Sequence, residues 1–317
     1  YTANDEYWDK DSVNLDKINV SVVKESSTGL NLFRDGQTDD VVLTGELAQQ
    51  NANDPEYQSV KEARTSYVEL NQEDEDSPFR NKNLRLALSY AIDRESLVEQ
   101  VLGDGSVAST NLLPEETGKD PDTDEDFTEV SDSTLEYDPE KAQEHWEKAK
   151  EELDIDSLEF DLLAEDTDST KRVGEYIQGA WEELDGMNVN STTVPFTVRI
   201  DRSTEGDFDA VVGGWGADYA DPSSFTDLFE SGNSYNFGKW SNDEYDKLVE
   251  DSATTHVNDP EERFQDLLDA EKVINEEMGV IPVYQKAEGH MVSDKVKGIV
   301  SHSAGAKYDY KWVSIEE

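Results

Sequence analysis

The segment Val211-Val-Gly-Gly-Trp215-Gly216-Ala217-Asp218-Tyr219-Ala-Asp-Pro-Ser-Ser-Phe225 holds the residues best spaced for chemistry. Phe208, Ala210, Val211 and Val212 read as a buried strand. Gly213, Gly214 and Gly216 then let the backbone turn or let another group approach closely. Gly216 and Ala217 lead into Asp218, which stands between Trp215 and Tyr219. A carboxylate flanked by aromatics at a strand end suits recognition of a small cation in apolar surroundings. The same residues also fit a Gly-rich turn capped by an Asp, and local sequence leaves both readings open.

Other chemistries find less support. The four histidines, His145, His256, His290 and His302, form no HExxH and no close pair, which disfavours a helix-borne zinc site. There is no GxSxG elbow. Ser21-Val-Val-Lys24 fits SxxK but falls in an expected strand instead of opening a helix. No Walker loop or GxGxxG is present, so nucleotide binding has no motif to carry it. Asp120, Asp122, Asp124 and Asp126 alternate as in an oxygen-rich calcium loop. An EF-hand, however, wants Gly after the third acid and Glu at the twelfth position, where this chain has Glu125 and Ser131. A weak cation site in a flexible acidic loop is the remaining alternative there. Carboxylate pairs of the glycosidase type carry no signal among 75 acids. No catalytic residue, metal ligand or cofactor is therefore expected.

The 317 residues carry 27 Lys and Arg against 75 Asp and Glu, a net charge of −48. That charge disfavours nucleic acid and anionic membranes as partners. Its self-repulsion should be relieved by screening ions, so a salt-rich working environment is expected. With no cysteine, thiolate and disulfide chemistry are excluded. No apolar run approaches the roughly 20 residues of a membrane span, and Tyr1 opens no recognisable export signal.

The elements that must position Asp218 follow from periodicity and caps. Ile18 to Val23 and Val41 to Leu43 read as strands around a helix starting at Ser26-Ser27 and ending at Gly36, a small βαβ unit. Tyr67 to Asn71 reads as a connecting strand. A helix follows Asn81, and a second, capped by Asp93, ends at Gly103. Residues 115–168, with 23 acidic and 4 basic side chains, read as solvated surface. Within them, Asp138-Pro139 starts a helix and Leu158, Phe160 and Leu162 alternate as a strand. A helix through Val173 and Trp181 and a strand over Met187 to Val194 complete a crossover onto a parallel sheet. Ser241-Asn-Asp-Glu244 reads as a capping box, and Asp259-Pro260 as another helix start. Val280 to Tyr284 is a strand whose Pro282 belongs at an edge or bulge. Gly289 to Ser293 and Lys297 to Val300 read as two further short strands. The fold class is α/β, with the Gly-rich loop beyond a strand end, where such sheets bind ligands.

Four stretches taken together resemble the oligopeptide- and dipeptide-binding family of ABC importers, the extracellular solute-binding proteins of family 5. They are Asn4-Asp-Glu-Tyr-Trp8-Asp, Asn81-Lys-Asn-Leu-Arg85-Leu-Ala-Leu-Ser-Tyr-Ala-Ile-Asp93-Arg-Glu, Gly214 to Phe225, and Ile281-Pro-Val-Tyr284. The resemblance implies a type II periplasmic-binding-protein-like fold, in which two lobes enclose a ligand and close by hinge motion. It matches the later portion of the family's chain: 1–65 the end of the first lobe, 66–288 the complete second lobe, 289–317 a return to the first lobe. Tyr67 to Asn71 and Tyr284 to Glu288 are the hinge candidates. It implies that Asp218 receives a peptide's α-ammonium group, with Trp215, Gly216, Ala217 and Tyr219 around it. Oligopeptides are the expected ligands and a membrane permease the expected partner. The protein is expected to be monomeric, without cofactor or catalysis, and extracellular or periplasmic, anchored through a lipid in the full-length protein. A nonpeptide solute or a signalling peptide in the same fold, and an acidic extracellular hydrolase, are the alternatives.

Overall fold

The computed structural model describes residues 1–23, 25–131 and 135–316. Ile18 to Val23 does not form the expected strand. Only Lys17 bridges, to Thr2, while Val20 and Val22 lie exposed. Alternation alone makes no strand without a neighbour to pair with. Lys24, the last residue of the SxxK match, lies outside the described residues. The first elements are α1 (Ser26–Arg34), β1 (Asp40–Leu43) and α2 (Gly45–Asn51). They share a small core of Leu30, Leu43, Ala48 and Met291.

The strands that follow are β2 (Tyr57–Leu70), β3 (Val107–Ala108), β4 (Leu158–Glu165), β5 (Met187–Val194), β6 (Ala210–Gly216) and β7 (Ile281–Val292). They form one sheet with β1, in the order β1-β7-β2-β6-β4-β5, with β3 paired to β7. β4 and β5 run parallel from Leu158↔Met187 to Glu165↔Val194, as the crossover pattern requires. β2 is antiparallel to both β6 and β7. The two strands expected at Val280–Tyr284 and Gly289–Ser293 are one strand, β7. Gly289 does not break it, because the Tyr57 phenol packs where a Cβ would stand, so the glycine serves close approach. Pro282 lies at a register shift against Ser66 and Tyr67, the expected bulge, although β7 is interior to the sheet.

Helices start where local caps place them. Asn81 Oδ1 accepts from the Leu84 amide (3.0 Å) to open α3 (Lys82–Tyr90), and Asp93 Oδ1 from Ser96 (3.0 Å) to open α4 (Arg94–Ser96). A wider turn over Leu97–Leu102 continues α4 to Gly103, at φ +59°. Asp126 caps α5 (Phe127–Val130), Asp138 caps α6 (Pro139–Leu153), and Thr167 caps α7 (Asp168–Glu182). α8 (Phe196–Glu205) breaks the usual pattern: Phe196 and Val198 are exposed while Arg199 and Ser203 are buried. The short α9 (Ser223–Thr226) precedes α10 (Asp243–Ala253) and α11 (Pro260–Glu276). Asn242, not Ser241, caps α10, its Oδ1 accepting from Glu244 (2.9 Å) and Tyr245 (3.1 Å).

Two large cores share β2, whose side chains alternate between them. Val68 and Leu70 join Ile92, Trp146 and Trp181. Ala63 and Tyr67 join Phe127, Phe225, Phe229 and Tyr245. The short strands β8 (Val296–Lys297), β9 (Val300–Ser301), β10 (Tyr308–Asp309) and β11 (Ser314–Ile315) form two small ribbons, β9 with β10 and β8 with β11.

Candidate ligand site

β6 is held against β2 from Leu70↔Ala210 to Arg64↔Gly216, and the ladder dictates where glycine is needed. A Cβ on Gly214 would stand 2.8 Å from the Thr65 carbonyl oxygen, so close approach of two backbones fixes that residue. At Gly213 the nearest atom would be the Tyr67 ring at 3.4 Å, an ordinary contact.

Beyond β6 the chain is pinned from three directions. The Ala217 amide donates to the Ala63 carbonyl (2.7 Å), and the Ala217 carbonyl accepts from the Gly305 amide (3.0 Å). The Asp218 amide donates to Ser224 Oγ at the start of α9 (3.0 Å). Asp218 itself is exposed, and among the described residues no Lys, Arg or His forms an ion pair with it. The backbone is thus fixed while the carboxylate is left to solvent.

The neighbouring aromatics engage different partners. Trp215 is half-buried and meets Tyr235 edge-on, ring centroids 4.8 Å apart. Its indole Nε1 is buried without a hydrogen-bond partner. Tyr219 is exposed, with its hydroxyl 3.3 Å from Ser223 Oγ. Gly216 and Ala217 shape the backbone between them.

Sequence reasoning missed Asp221 and Arg263. Asp221 accepts from the Ser223 amide (3.0 Å) and hydroxyl (2.7 Å), an Asx turn legible in Asp-Pro-Ser-Ser, and it is gripped by Arg263 from α11. Burial alone would raise the Asp221 pKa, but Arg263 and Ser223 outweigh it and hold the carboxyl below its ordinary value. Glu69, on β2 behind Gly213, accepts from the Gly238 amide (2.9 Å), yet burial pushes its pKa up to about 7.

Of the two hinge candidates, Tyr284 to Glu288 carries a register shift against β2, whereas Tyr67 to Asn71 lies beyond that shift on the β2 side. Tyr67 to Leu70 is paired on both sides up to Val68, well inside the sheet. The break in the β2–β7 ladder lies earlier, between Lys61↔Ala287 and Thr65↔Gln285. There Ala63 turns away from β7 and its amide donates to the Ser303 carbonyl (2.8 Å). Beyond the break, His290 is buried between Asp40 (Nδ1 to Oδ1, 2.8 Å) and the Tyr308 hydroxyl (Nε2 to Oη, 2.7 Å). Lys307 joins Glu62 and Glu288, each at 3.0 Å.

Of the alternating acids of residues 120–126, Asp120 and Asp126 serve the backbone, while Asp124 pairs with Lys119 at 3.2 Å. Asp120 Oδ1 accepts from the Asp122 and Thr123 amides (2.8 and 3.0 Å), and Asp126 caps α5. A small pocket beside β3 and β7, lined by Val107, Asn111, Leu113, Glu115 and Gln285, includes none of the expected site residues. No helix among the described residues is long and apolar enough to cross a membrane.

Residues 1–237 match the family described as bacterial extracellular solute-binding proteins, family 5 Middle. A dipeptide-binding protein of Lactococcus lactis is 34% identical over 98% of this chain and 58% of its own. The solved pheromone receptor PrgZ, described for its mode of peptide binding, is 42% identical with a TM-score of 0.91, over 100% of this chain and 61% of that one. Listeria monocytogenes OppA, solved bound to peptide, is 36% identical with a TM-score of 0.91, over 100% and 61%. The chain therefore spans about three fifths of the length of these three proteins.

Proposed function

The chain belongs to the bacterial extracellular solute-binding proteins of family 5 and has the type II periplasmic-binding fold, and from that premise we propose that it captures peptides for an ABC importer. Asp218 receives the peptide's α-ammonium group. The observation that carries this reading is an exposed carboxylate without a cation partner, on a backbone held by bonds from Ala63, Gly305 and Ser224. A pre-positioned acceptor loses little conformational freedom on binding. An α-amine, with a pKa of roughly 7.7 to 8.0, is mostly protonated at neutral pH, and a charge-assisted hydrogen bond contributes about 1.5–3 kcal/mol. Trp215 and Tyr219 supply apolar walls, and strand-like backbone bonds hold the peptide main chain without reading its sequence.

On this reading residues 1–65 and 289–317 belong to the first lobe and 66–288 form the second. The separate small core around Leu30 and Met291 supports that division. The break in the β2–β7 ladder near Ala63 is where the hinge falls. The protein works outside the membrane, held there by a lipid in its full-length form, as a monomer that docks on a permease when closed and catalyses nothing.

The test is calorimetry on the full gene product with one peptide and its N-acetylated form. The acetylated peptide should bind at least tenfold more weakly, and Asp218→Asn should abolish the difference. Equal affinities in the native protein would remove the amine-recognition role.

A further inference from the structure

The ligand site has a second charge of opposite sign. Arg64 lies on β2 where the ladder with β7 is broken, directly across from Gly216 at the end of β6. Its side chain lies along the glycine: a Cβ on Gly216 would stand 3.8 Å from Arg64 Cβ and Cγ and 3.9 Å from Nη1. Gly216 thus provides a bare backbone shelf on which the guanidinium rests.

Neighbouring cations are already committed. Lys61 pairs with Glu115 at 2.7 Å, and Lys286 and Lys307 both pair with Glu62 and Glu288. At the end of β4, Arg199 holds Glu165 at 3.0 Å. Arg64 is half-buried, and among the described residues no carboxylate lies within ion-pairing distance of it. With 75 acids in the chain, an arginine left unpaired beside the candidate site is placed for an acid from elsewhere.

We propose that Arg64 receives a carboxylate of the bound peptide, so that the site reads a positive and a negative group at a fixed separation. This rests on the amine-binding role of Asp218. Gly216 and Asp218 are two residues apart, about 7 Å of extended chain, and an arginine side chain spans a similar length. The two charges therefore match an amine and a carboxylate within roughly one to three peptide residues of each other. Such a carboxylate comes either from an acidic side chain near the peptide's amino terminus or from the free C-terminus of a very short peptide. An otherwise strongly acidic protein would repel both, and Arg64 gives each a local partner.

The experiment measures dissociation constants at fixed ionic strength for the full gene product and its Arg64→Gln and Arg64→Lys variants. One arm compares di- and trialanine with their C-terminal amides. The other compares C-terminally amidated hexapeptides carrying Glu or Gln at position 1, 2 or 3. In at least one arm the native protein should favour the acid by about tenfold, Arg64→Gln should erase the preference, and Arg64→Lys should retain part of it. The responding arm names the source of the carboxylate. No preference for acid in either arm, or a preference that survives Arg64→Gln, overturns the proposal. So does an equal loss for acids and amides in Arg64→Gln, which marks an effect indifferent to the ligand's charge. Thermal melting of each variant separates misfolding from lost contact, and Arg64→Glu, which should turn the preference toward Lys-bearing peptides, gives a readout that misfolding cannot mimic. Failure of every peptide to bind the native protein, or indifference to N-acetylation, refutes the Asp218 reading instead.

Discussion

Arg263 grips Asp221 with two parallel hydrogen bonds, Nη1 to Oδ2 at 3.0 Å and Nη2 to Oδ1 at 2.7 Å. The pair ties α11 to the loop that follows Asp218, and its planar fork fixes direction as well as distance. Arg263→Ala should destabilise the protein by about 1–2 kcal/mol, partial exposure of both groups keeping the loss modest. It should also weaken peptide binding several-fold, because the Asp221 turn loses its outer anchor. Urea denaturation and calorimetry on the same variant check both, and unchanged peptide affinity would separate this pair from the site.

Gly214 and Gly213 should respond differently to the same substitution. Gly214→Ala forces a methyl group to within 2.8 Å of the Thr65 carbonyl, where only backbone movement gives relief. A loss of about 1–3 kcal/mol and weaker binding are expected. Gly213→Ala meets the Tyr67 ring at 3.4 Å and should cost under about 1 kcal/mol. Similar melting temperatures for the two variants would contradict the geometry.

Stability should fall as pH rises, in two separable windows. Burial lifts Glu69 from 4.5 to about 7, so between those values the folded chain binds the extra proton and its advantage declines, becoming flat above pH 7. Burial would lower the His290 pKa, but the hydrogen bond to Asp40 and the nearby Glu288 carboxylate win and raise it from 6.5 to about 9. Its contribution is complete below pH 6.5 and lost as pH rises through 9. Each window is worth on the order of 3 kcal/mol at most. Buried Glu271 is lifted to about 7 as well, so Glu69→Gln should remove only part of the slope in the lower window and His290→Gln only the upper one, as read by urea midpoints across pH. A variant that leaves its window unchanged would show that another group titrates there.

Added salt should raise the melting temperature. A net charge of −48 repels itself, and a Debye length of about 10 Å at 0.1 M shrinks to about 3 Å at 1 M. Thermal scans from 0.1 to 2 M KCl should show a steady increase; a flat curve would disconnect the acidity from a saline setting.

What could be read in the sequence was local. Asn81, Asp138 and Asp259 cap helices through atoms three residues away, so their spacing carries the information. Asp218 was legible because strand, glycines and acid are contiguous. Ile18 to Val23 misled because strand formation depends on a neighbour that local alternation cannot supply. α8 was invisible for a different reason: its apolar residues Phe196 and Val198 face solvent, inverting the pattern by which helices are found. Arg64 and Arg263 were missed because Gly216 and Asp221, which give them meaning, are far away in the chain. No local period encodes such a pair.

Ala63 hands its amide to Ser303 and its carbonyl to Ala217, while Gly305 closes on Ala217 from the same late segment. The loop at Asp218 therefore takes part of its shape from a segment that follows β7, far later in the chain, so a change at Ser303 or Gly305 acts on the Asp218 backbone without touching its side chain.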